Sequence, residues 1–349
     1  VINALKKLGV EEVIFCSGSH NATLLPALLE NFKVRGHFDE RGAAFYALGR
    51  IKATSKPTVV VTTSGTAVAE CLPAVIEAHF SGLPLIIISA DRPKRFVGTG
   101  APQVIDQSGI LSPYAVSYAI EGSGTVSFLE DKPSHWNFFL DEDPPEISLE
   151  IKTKADVCIN ASINDWLESV KSPLVIVEQV PKNLLPRVIE FLRVLEAPVL
   201  AEARSGLFGS LPELIVTEPL DFHDSVLRIG SVPVTSYWRQ LSNNNLKIAS
   251  LAYPYFSGTD REQLLLPLCE KTLEIPSVSF GFKNAEIKRE SNQISEIVSA
   301  LPKDSKLYFG NSLPIREAIK ADLSGFHVEG NRGANGIDGQ IATFAGFIK

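Results

Sequence analysis

Uninterrupted apolar runs, rather than strict alternation, mark the strands in the first third of the chain. Val13-Ile14-Phe15-Cys16, Val59-Val60-Val61 and Leu85-Ile86-Ile87-Ile88 carry no polar position between them. Runs of this kind suit strands covered on both faces of a parallel sheet. Between them the spacing predicts helices over about Asn21 to Glu30 and over Glu40 to Ala53, the second with an Ala-rich, closely packing face. Val34 to Phe38 and Pro57 to Thr62 add two further strands. Strand and helix in alternation predict an α/β fold built on doubly wound parallel sheets.

Pro133, Pro144 and Pro145 surround the acidic stretch Asp141-Glu142-Asp143, which reads as a surface loop before a closing strand from Glu146 to Ile151. A looser segment from about Lys152 to Ser172 reads as a linker. A second α/β pattern starts at Pro173 to Glu178. It continues with a helix near Lys182 to Leu195 and strands at Val199-Leu200, Val226 to Ile229 and Lys247 to Leu251. A third begins around Glu286: a helix to Leu301, a strand from Lys306 to Phe309, the loop Gly310-Asn311-Ser312, and a helix through Ala321. The strand Phe326 to Glu329, a glycine-rich loop from Gly330 to Gly336 and a helix from Gly339 follow. About sixty residues cannot complete a domain of this type.

With 349 residues, 45% of them hydrophobic and 21% charged, the chain has the composition of a multidomain globular protein. A net charge of -7 argues against nucleic acid or an anionic membrane as partner. Cys16, Cys71, Cys158 and Cys269 form no CxxC pair, so neither a zinc site nor a disulfide framework is expected, and a reducing cytoplasm fits. The six histidines show no metal-binding spacing. No apolar run is long enough for stable membrane insertion, and the start lacks a signal-peptide pattern. The absence of methionine, with both ends inside apparent helices, reads as a fragment.

Candidate chemistry gathers at strand ends. In Phe38-Asp39-Glu40-Arg41-Gly42 an acid opens a helix just after a short strand. Such an acid is ordinarily a partner of the helix dipole, but strand-end loops are also where open α/β sheets bind ligands. The loop Ser64-Gly65-Thr66-Ala67 opens another helix, so its amides could meet an anion or a polar ring edge, or simply cap the helix. The Gly330 to Gly339 loop lacks a Walker lysine and does not have dinucleotide spacing, and Gly98-Thr99-Gly100 is no better.

Ser17-Gly18-Ser19, Phe38-Asp39-Glu40-Arg41-Gly42, Ser64-Gly65-Thr66-Ala67-Val68, Ala90-Asp91-Arg92-Pro93, Gly310-Asn311-Ser312 and Asn331-Arg332-Gly333-Ala334 occur in one order along the chain. Together they resemble the motifs of thiamine diphosphate enzymes. The nearest resemblance is to the 2-succinyl-5-enolpyruvyl-6-hydroxy-3-cyclohexene-1-carboxylate synthase family of menaquinone biosynthesis. The resemblance implies a three-domain architecture with its last domain truncated. Residues 1–155 would form the pyrimidine-binding domain, 156–172 a linker, 173–285 the central domain and 286–349 the start of the pyrophosphate-binding domain.

It further implies thiamine diphosphate as cofactor, with Glu40 as the catalytic acid against the aminopyrimidine and Ser64, Gly65 and Thr66 in cofactor contact. Mg2+ is implied too, but its Gly-Asp motif and later Asn belong beyond Lys349, so no metal ligand is expected in this fragment. The implied substrates are the dicarboxylates 2-oxoglutarate and isochorismate. Arg92, Arg316 and Arg332 suit them, since a guanidinium binds carboxylate bidentately, whereas an ordinary surface ion pair contributes little. Ser19, Gln103, Asn311 and Ser312 would contact substrate, although loop capping is a rival role for the serines and the asparagine. His20 stands where the family carries Arg; protonated it would donate to a carboxylate, and otherwise it is a plain loop residue. A cytoplasmic homodimer or homotetramer is implied. The alternatives are an acetohydroxyacid synthase or 2-oxoacid decarboxylase type of thiamine diphosphate enzyme, or a non-catalytic relative serving as an interaction module. Asp91-Arg92-Pro93 and Asn331-Arg332-Gly333 favour the menaquinone family over the first, and Glu40 with the three arginines speaks against the second.

Overall fold

A computed structural model describes residues 1–141, 147–153, 161–243, 245–283 and 291–349. Cys158, residues 142–146 of the acidic loop and the expected helix start at Glu286 lie outside the described residues. The chain divides into two compact units, Val1–Asp156 with Asn331–Lys349, and Val157–Gly330.

The first unit contains α1 (Ile2–Lys7), β1 (Glu12–Phe15), α2 (Leu25–Asn31), β2 (Lys33–Gly36), α3 (Glu40–Thr54), β3 (Thr58–Thr62), α4 (Thr66–Glu70), α5 (Leu72–Ser81) and β4 (Leu85–Asp91). It continues with β5 (Val116–Ile120), β6 (Gly124–Phe128), β7 (Ser134–Phe139) and β8 (Leu149–Thr153), and takes back the helix Gln340–Phe347. Its main sheet has the order β2-β1-β3-β4-β7-β5, every neighbouring pair parallel. Every residue of β1, β3 and β4 is buried, as the apolar runs predict. Ile14, Val60 and Ile87 pack beneath α3 and α5, while Val13, Val59, Val61, Ile86 and Ile88 pack with Leu5 and Leu28 on the opposite face. Helices therefore cover both faces of a doubly wound parallel sheet.

α3 is buried almost all round, from Ala43 to Gly49 and again at Ile51. A helix without a polar face needs cover on more than one side, and the helix Gln340–Phe347 supplies it. The two backbones approach so closely that side chains are excluded. A Cβ on Gly49 would sit 2.0 Å from the Thr343 carbonyl oxygen, and one on Gly346 would sit 2.1 Å from that of Tyr46. Arg50, one turn's edge away, donates from Nη1 to the Gly346 carbonyl (3.2 Å) and from Nε to Glu12 on β1 (2.7 Å). α3 is thus fixed between the sheet and its partner helix.

The second unit holds α6 (Asn164–Glu168), β9 (Pro173–Val177), α7 (Leu185–Leu195), β10 (Val199–Ala201), β11 (Ile215–Val216), β12 (Ser225–Gly230), α8 (Ser236–Gln240), β13 (Lys247–Ala252) and β14 (Leu264–Pro267). Its parallel sheet runs β11-β10-β9-β12-β13-β14. α7 presents Val188, Phe191, Leu192 and Leu195, one stripe at helical spacing, to the core. Within the stretch expected to be a linker, α6 buries Leu167 in that same core. α9 (Gln293–Ser299), β15 (Lys306–Tyr308), α10 (Leu313–Glu317) and β16 (His327–Glu329) form a smaller group, with β15 and β16 paired in parallel.

Gly49→Ala is expected to lower unfolding stability by about 3 kcal/mol through overpacking. Gly36→Ala, whose added Cβ meets nothing within 4 Å, should change it by less than about 1 kcal/mol. Urea unfolding of the two variants checks this.

Candidate active site

The chain leaves β1 for β2 on one side of the sheet and goes from β3 to β4 on the other. A crevice therefore opens at the carboxyl ends of β1 and β3, the switch point at which such sheets bind ligands. Ser17-Gly18-Ser19-His20 leads away from one rim and Thr63-Ser64-Gly65-Thr66 from the other. Buried Asn21 pins the first loop, accepting from Gly18 N (2.9 Å) and donating to the Cys16 carbonyl (2.8 Å). The two loops touch: a Cβ on Gly18 would lie 2.5 Å from the Thr63 Cβ. Gly65 adopts a φ of 85°, a conformation that favours glycine. The hydroxyls of Thr62, Thr63 and Ser64 are buried without a hydrogen-bond partner among the described residues.

Glu40 opens α3, but Asp39 is the residue that caps it, accepting from Gly42 N at 2.7 Å. The Glu40 carboxylate makes no hydrogen bond or ion pair among the described residues. The Cys16 thiol is pushed up to about 12, first by burial and then by the Glu40 and Asp39 carboxylates, which sets those acids beside the end of β1. Cys16 accordingly stays protonated, and a thiolate nucleophile is not on offer there.

A buried polar network holds the loops after β3 and β4. Asn137 on β7 donates to Asp91 Oδ2 (3.1 Å) and accepts from Ser89 Oγ (2.6 Å) and Gln107 Nε2 (2.9 Å). Gln107 Oε1 accepts from Gly65 N (2.8 Å), and Asp91 Oδ1 accepts from Arg92 N (2.8 Å). Ser89 Oγ also meets His135 Nε2 at 2.7 Å. Burial holds the Asp91 carboxyl above its usual range, against the pull of its hydrogen bonds. Burial, then Arg92, lowers the His20 pKa, with Asp91 opposing. His20 is therefore a neutral imidazole near pH 7, suited to hydrogen bonding rather than to replacing a guanidinium. His20 Nε2 and Arg92 Nε are both buried without a hydrogen-bond partner among the described residues.

Ser19 and Thr66 are exposed, and exposed Gln103, at φ 58°, lies against Gly65. Arg332 is buried in the same unit, and the preceding Asn331 donates to Thr343 Oγ1 (3.0 Å). Asn311, Ser312 and Arg316 belong to the second unit. There Arg316 folds back on its own helix, donating to Ser312 O (2.9 Å) and Ser312 Oγ (3.3 Å). The second unit also contains a buried group with no motif to announce it. Arg204 grips Glu178 through Nε (2.8 Å) and Nη2 (2.9 Å) and donates to the Gly330 carbonyl (3.1 Å). Burial, reinforced by Glu178, raises the pKa of the neighbouring Glu202. Among the described residues no group of three or more His, Cys, Asp or Glu is placed to hold a metal ion, and no helix is long and apolar enough to cross a membrane.

Residues 1–110 match the family described as thiamine pyrophosphate enzyme, N-terminal TPP binding domain. The chain is 36% identical over 403 aligned positions to the 2-succinyl-5-enolpyruvyl-6-hydroxy-3-cyclohexene-1-carboxylate synthase of Bdellovibrio bacteriovorus, covering 99% of this chain and 76% of that one. It belongs to that synthase family. A synthase of the same name from Akkermansia muciniphila is 32% identical, covering 97% of this chain and 73% of its own. Among solved structures, benzoylformate decarboxylase from Polynucleobacter necessarius superposes with a TM-score of 0.72 at 14% identity, covering 99% and 76% of the two chains. At that identity it testifies to the thiamine diphosphate-enzyme fold alone. In this member of the synthase family, Asn137, Gln107, Ser89 and His135 carry the loops that the family motifs occupy.

Burial lowers the His135 pKa from 6.5 to about 4. Between those values the unfolded chain binds the proton and the folded chain does not, so stability should fall as pH drops through that window. The His135 share of the loss is about 3 kcal/mol. Comparing unfolding of the wild type and His135→Gln at pH 7 and pH 4 should reveal this slope in the wild type and remove it in the variant.

Proposed function

We propose that the chain is the thiamine diphosphate-dependent synthase that decarboxylates 2-oxoglutarate and adds the succinyl carbanion equivalent to isochorismate in a 1,4 sense, in menaquinone biosynthesis. The observation that carries the site assignment is the Glu40 carboxylate, without a partner among the described residues in a helix already capped by Asp39, on the unit whose loop after β3 buries hydroxyls that likewise have no partner among those residues. An aminopyrimidine, with donors and acceptors along one edge, fits such a donor set. Bound there, the cofactor would supply a nucleophilic carbon and an electron sink for decarboxylation.

The protein's own groups do the rest. Glu40 holds a proton at the pyrimidine N1′, and the Ser64-Gly65-Thr66 loop meets the ring edge. Arg92, Arg316 and Arg332 pair with substrate carboxylates, always charged and geometrically matched to them. Ser19, Gln103, Asn311 and Ser312 hydrogen-bond the substrates, and neutral His20 offers one more such contact. Fixing two dicarboxylates by their carboxylates sets the reacting carbons against each other, an orientation effect worth several orders of magnitude in rate. Mg2+ would accompany the diphosphate, and the described residues contribute no group of three or more His, Cys, Asp or Glu to hold it. We assign 1–155 to a pyrimidine-binding domain, 173–285 to a central domain after a linker at 156–172, and 286–349 to the start of a pyrophosphate-binding domain, in a cytoplasmic homodimer or homotetramer.

Full-length Glu40→Gln should lose turnover roughly a hundredfold to ten-thousandfold with its unfolding transition intact. Near-normal turnover would remove Glu40 from the mechanism. Assay with pyruvate alone against 2-oxoglutarate plus isochorismate separates the proposal from other thiamine diphosphate chemistry, and turnover of pyruvate only would refute it.

A further inference from the structure

Glu77 lies in α5, is only 3% exposed and, among the described residues, meets no cation in a hydrogen bond or ion pair. An isolated buried carboxylate is costly unless donors surround it. Three do. Oε1 accepts from Gly333 N (2.9 Å) and Ser81 Oγ (2.9 Å), and Oε2 accepts from Ala334 N (2.8 Å). Two consecutive amides closing on one anion form the kind of nest that elsewhere binds phosphate, so this glycine-rich loop spends its anion site on a side chain of its own unit. Close approach is obligatory: a Cβ on Gly333 would lie 2.6 Å from both the Glu77 carbonyl oxygen and Ser81 Oγ.

Arg332 is the residue between two anchors. On its upstream side Asn331 is tied to Thr343, and on its downstream side Gly333 and Ala334 are tied to Glu77. Arg332 is itself buried, so its guanidinium has little freedom to find a carboxylate unless the backbone already directs it. We propose that Glu77 is a positioning residue for the synthase reaction: by clamping the amides of Gly333 and Ala334 it sets Arg332 for a dicarboxylate substrate. The inference rests on the assignment of Arg332 to substrate made above. Glu77→Gln presents an NH2 to at least one backbone N–H, replacing an attraction by a donor facing a donor.

The test uses full-length enzyme carrying Glu77→Gln, Glu77→Asp or Arg332→Ala. Amide hydrogen exchange of the peptide spanning 330–336 reads the clamp without reference to activity. The KM values for 2-oxoglutarate and isochorismate, with the Kd for thiamine diphosphate, read its consequence. In Glu77→Gln the 330–336 amides should exchange at least about tenfold faster, and KM for one dicarboxylate should rise at least about tenfold. Thiamine diphosphate affinity should stay within about twofold, and Glu77→Asp, which keeps the charge, should recover part of the KM loss. Unchanged exchange overturns the proposal. So does faster exchange with both KM values unaltered while Arg332→Ala raises one of them, or a parallel loss of cofactor affinity, kcat and thermal stability, which marks a merely structural role. If Arg332→Ala leaves both KM values as they were, the substrate assignment of Arg332 fails and the positioning claim with it; faster exchange in Glu77→Gln would then identify the clamp as a structural tie only.

Discussion

Asn137 uses both ends of its side-chain amide inside the first unit, taking Ser89 and Gln107 on its oxygen and giving to Asp91 from its nitrogen. Through Gln107 it reaches the amide of Gly65, and through Asp91 that of Arg92. The loops following β3 and β4 therefore share one hydrogen-bonded support instead of moving separately. A buried network is stabilising only when its members are satisfied, because the low dielectric that strengthens each bond also penalises each missing one. That constraint makes the geometry of the Ser64-Gly65-Thr66 loop and of the Arg92 backbone a single property of the fold.

The acids of the chain sort themselves by how they are satisfied. Glu12 faces Arg50, Glu178 is gripped by Arg204, and Glu202 accepts from the backbone of Val234 and Thr235. Asp91 and Glu77 rely on neutral donors, backbone amides among them. Glu40 alone of these six carboxylates has no hydrogen bond or ion pair among the described residues. Half-buried, it opens the helix whose packing is tightest.

Much of this was legible in the residues. The apolar runs located β1, β3 and β4 because strands buried on both faces need no polar alternation, and the order of the short motifs pointed to the family. β7 stayed hidden for the opposite reason. His135-Trp136-Asn137-Phe138 alternates as a half-exposed strand would, yet all four residues are buried, His135 and Asn137 meeting Ser89 and Gln107 from distant parts of the chain. Local pattern cannot reveal a partner supplied by another strand. Glu40 was visible as a helix-opening acid, but that Asp39 already fills the capping role depends on its backbone geometry before the helix. The charge state of His20 was illegible too, since it follows from burial and from the nearness of Arg92 and Asp91. Glu77, inside an ordinary helical stretch, gave no signal, because two of its three donors are backbone amides from a distant loop and carry no residue code.

The mutual exclusion of side chains between α3 and the helix Gln340–Phe347 bears on how this polypeptide can be dissected. Cutting after Asp156 would strip a long alanine- and glycine-lined trough of its lid and leave the Arg50 guanidinium short of one acceptor. Such a severed piece would present a sticky flank to its own copies, so the first unit is better regarded as a structure stitched from two separate stretches of sequence, Val1–Asp156 and Asn331–Lys349, than as a module that can be lifted out whole.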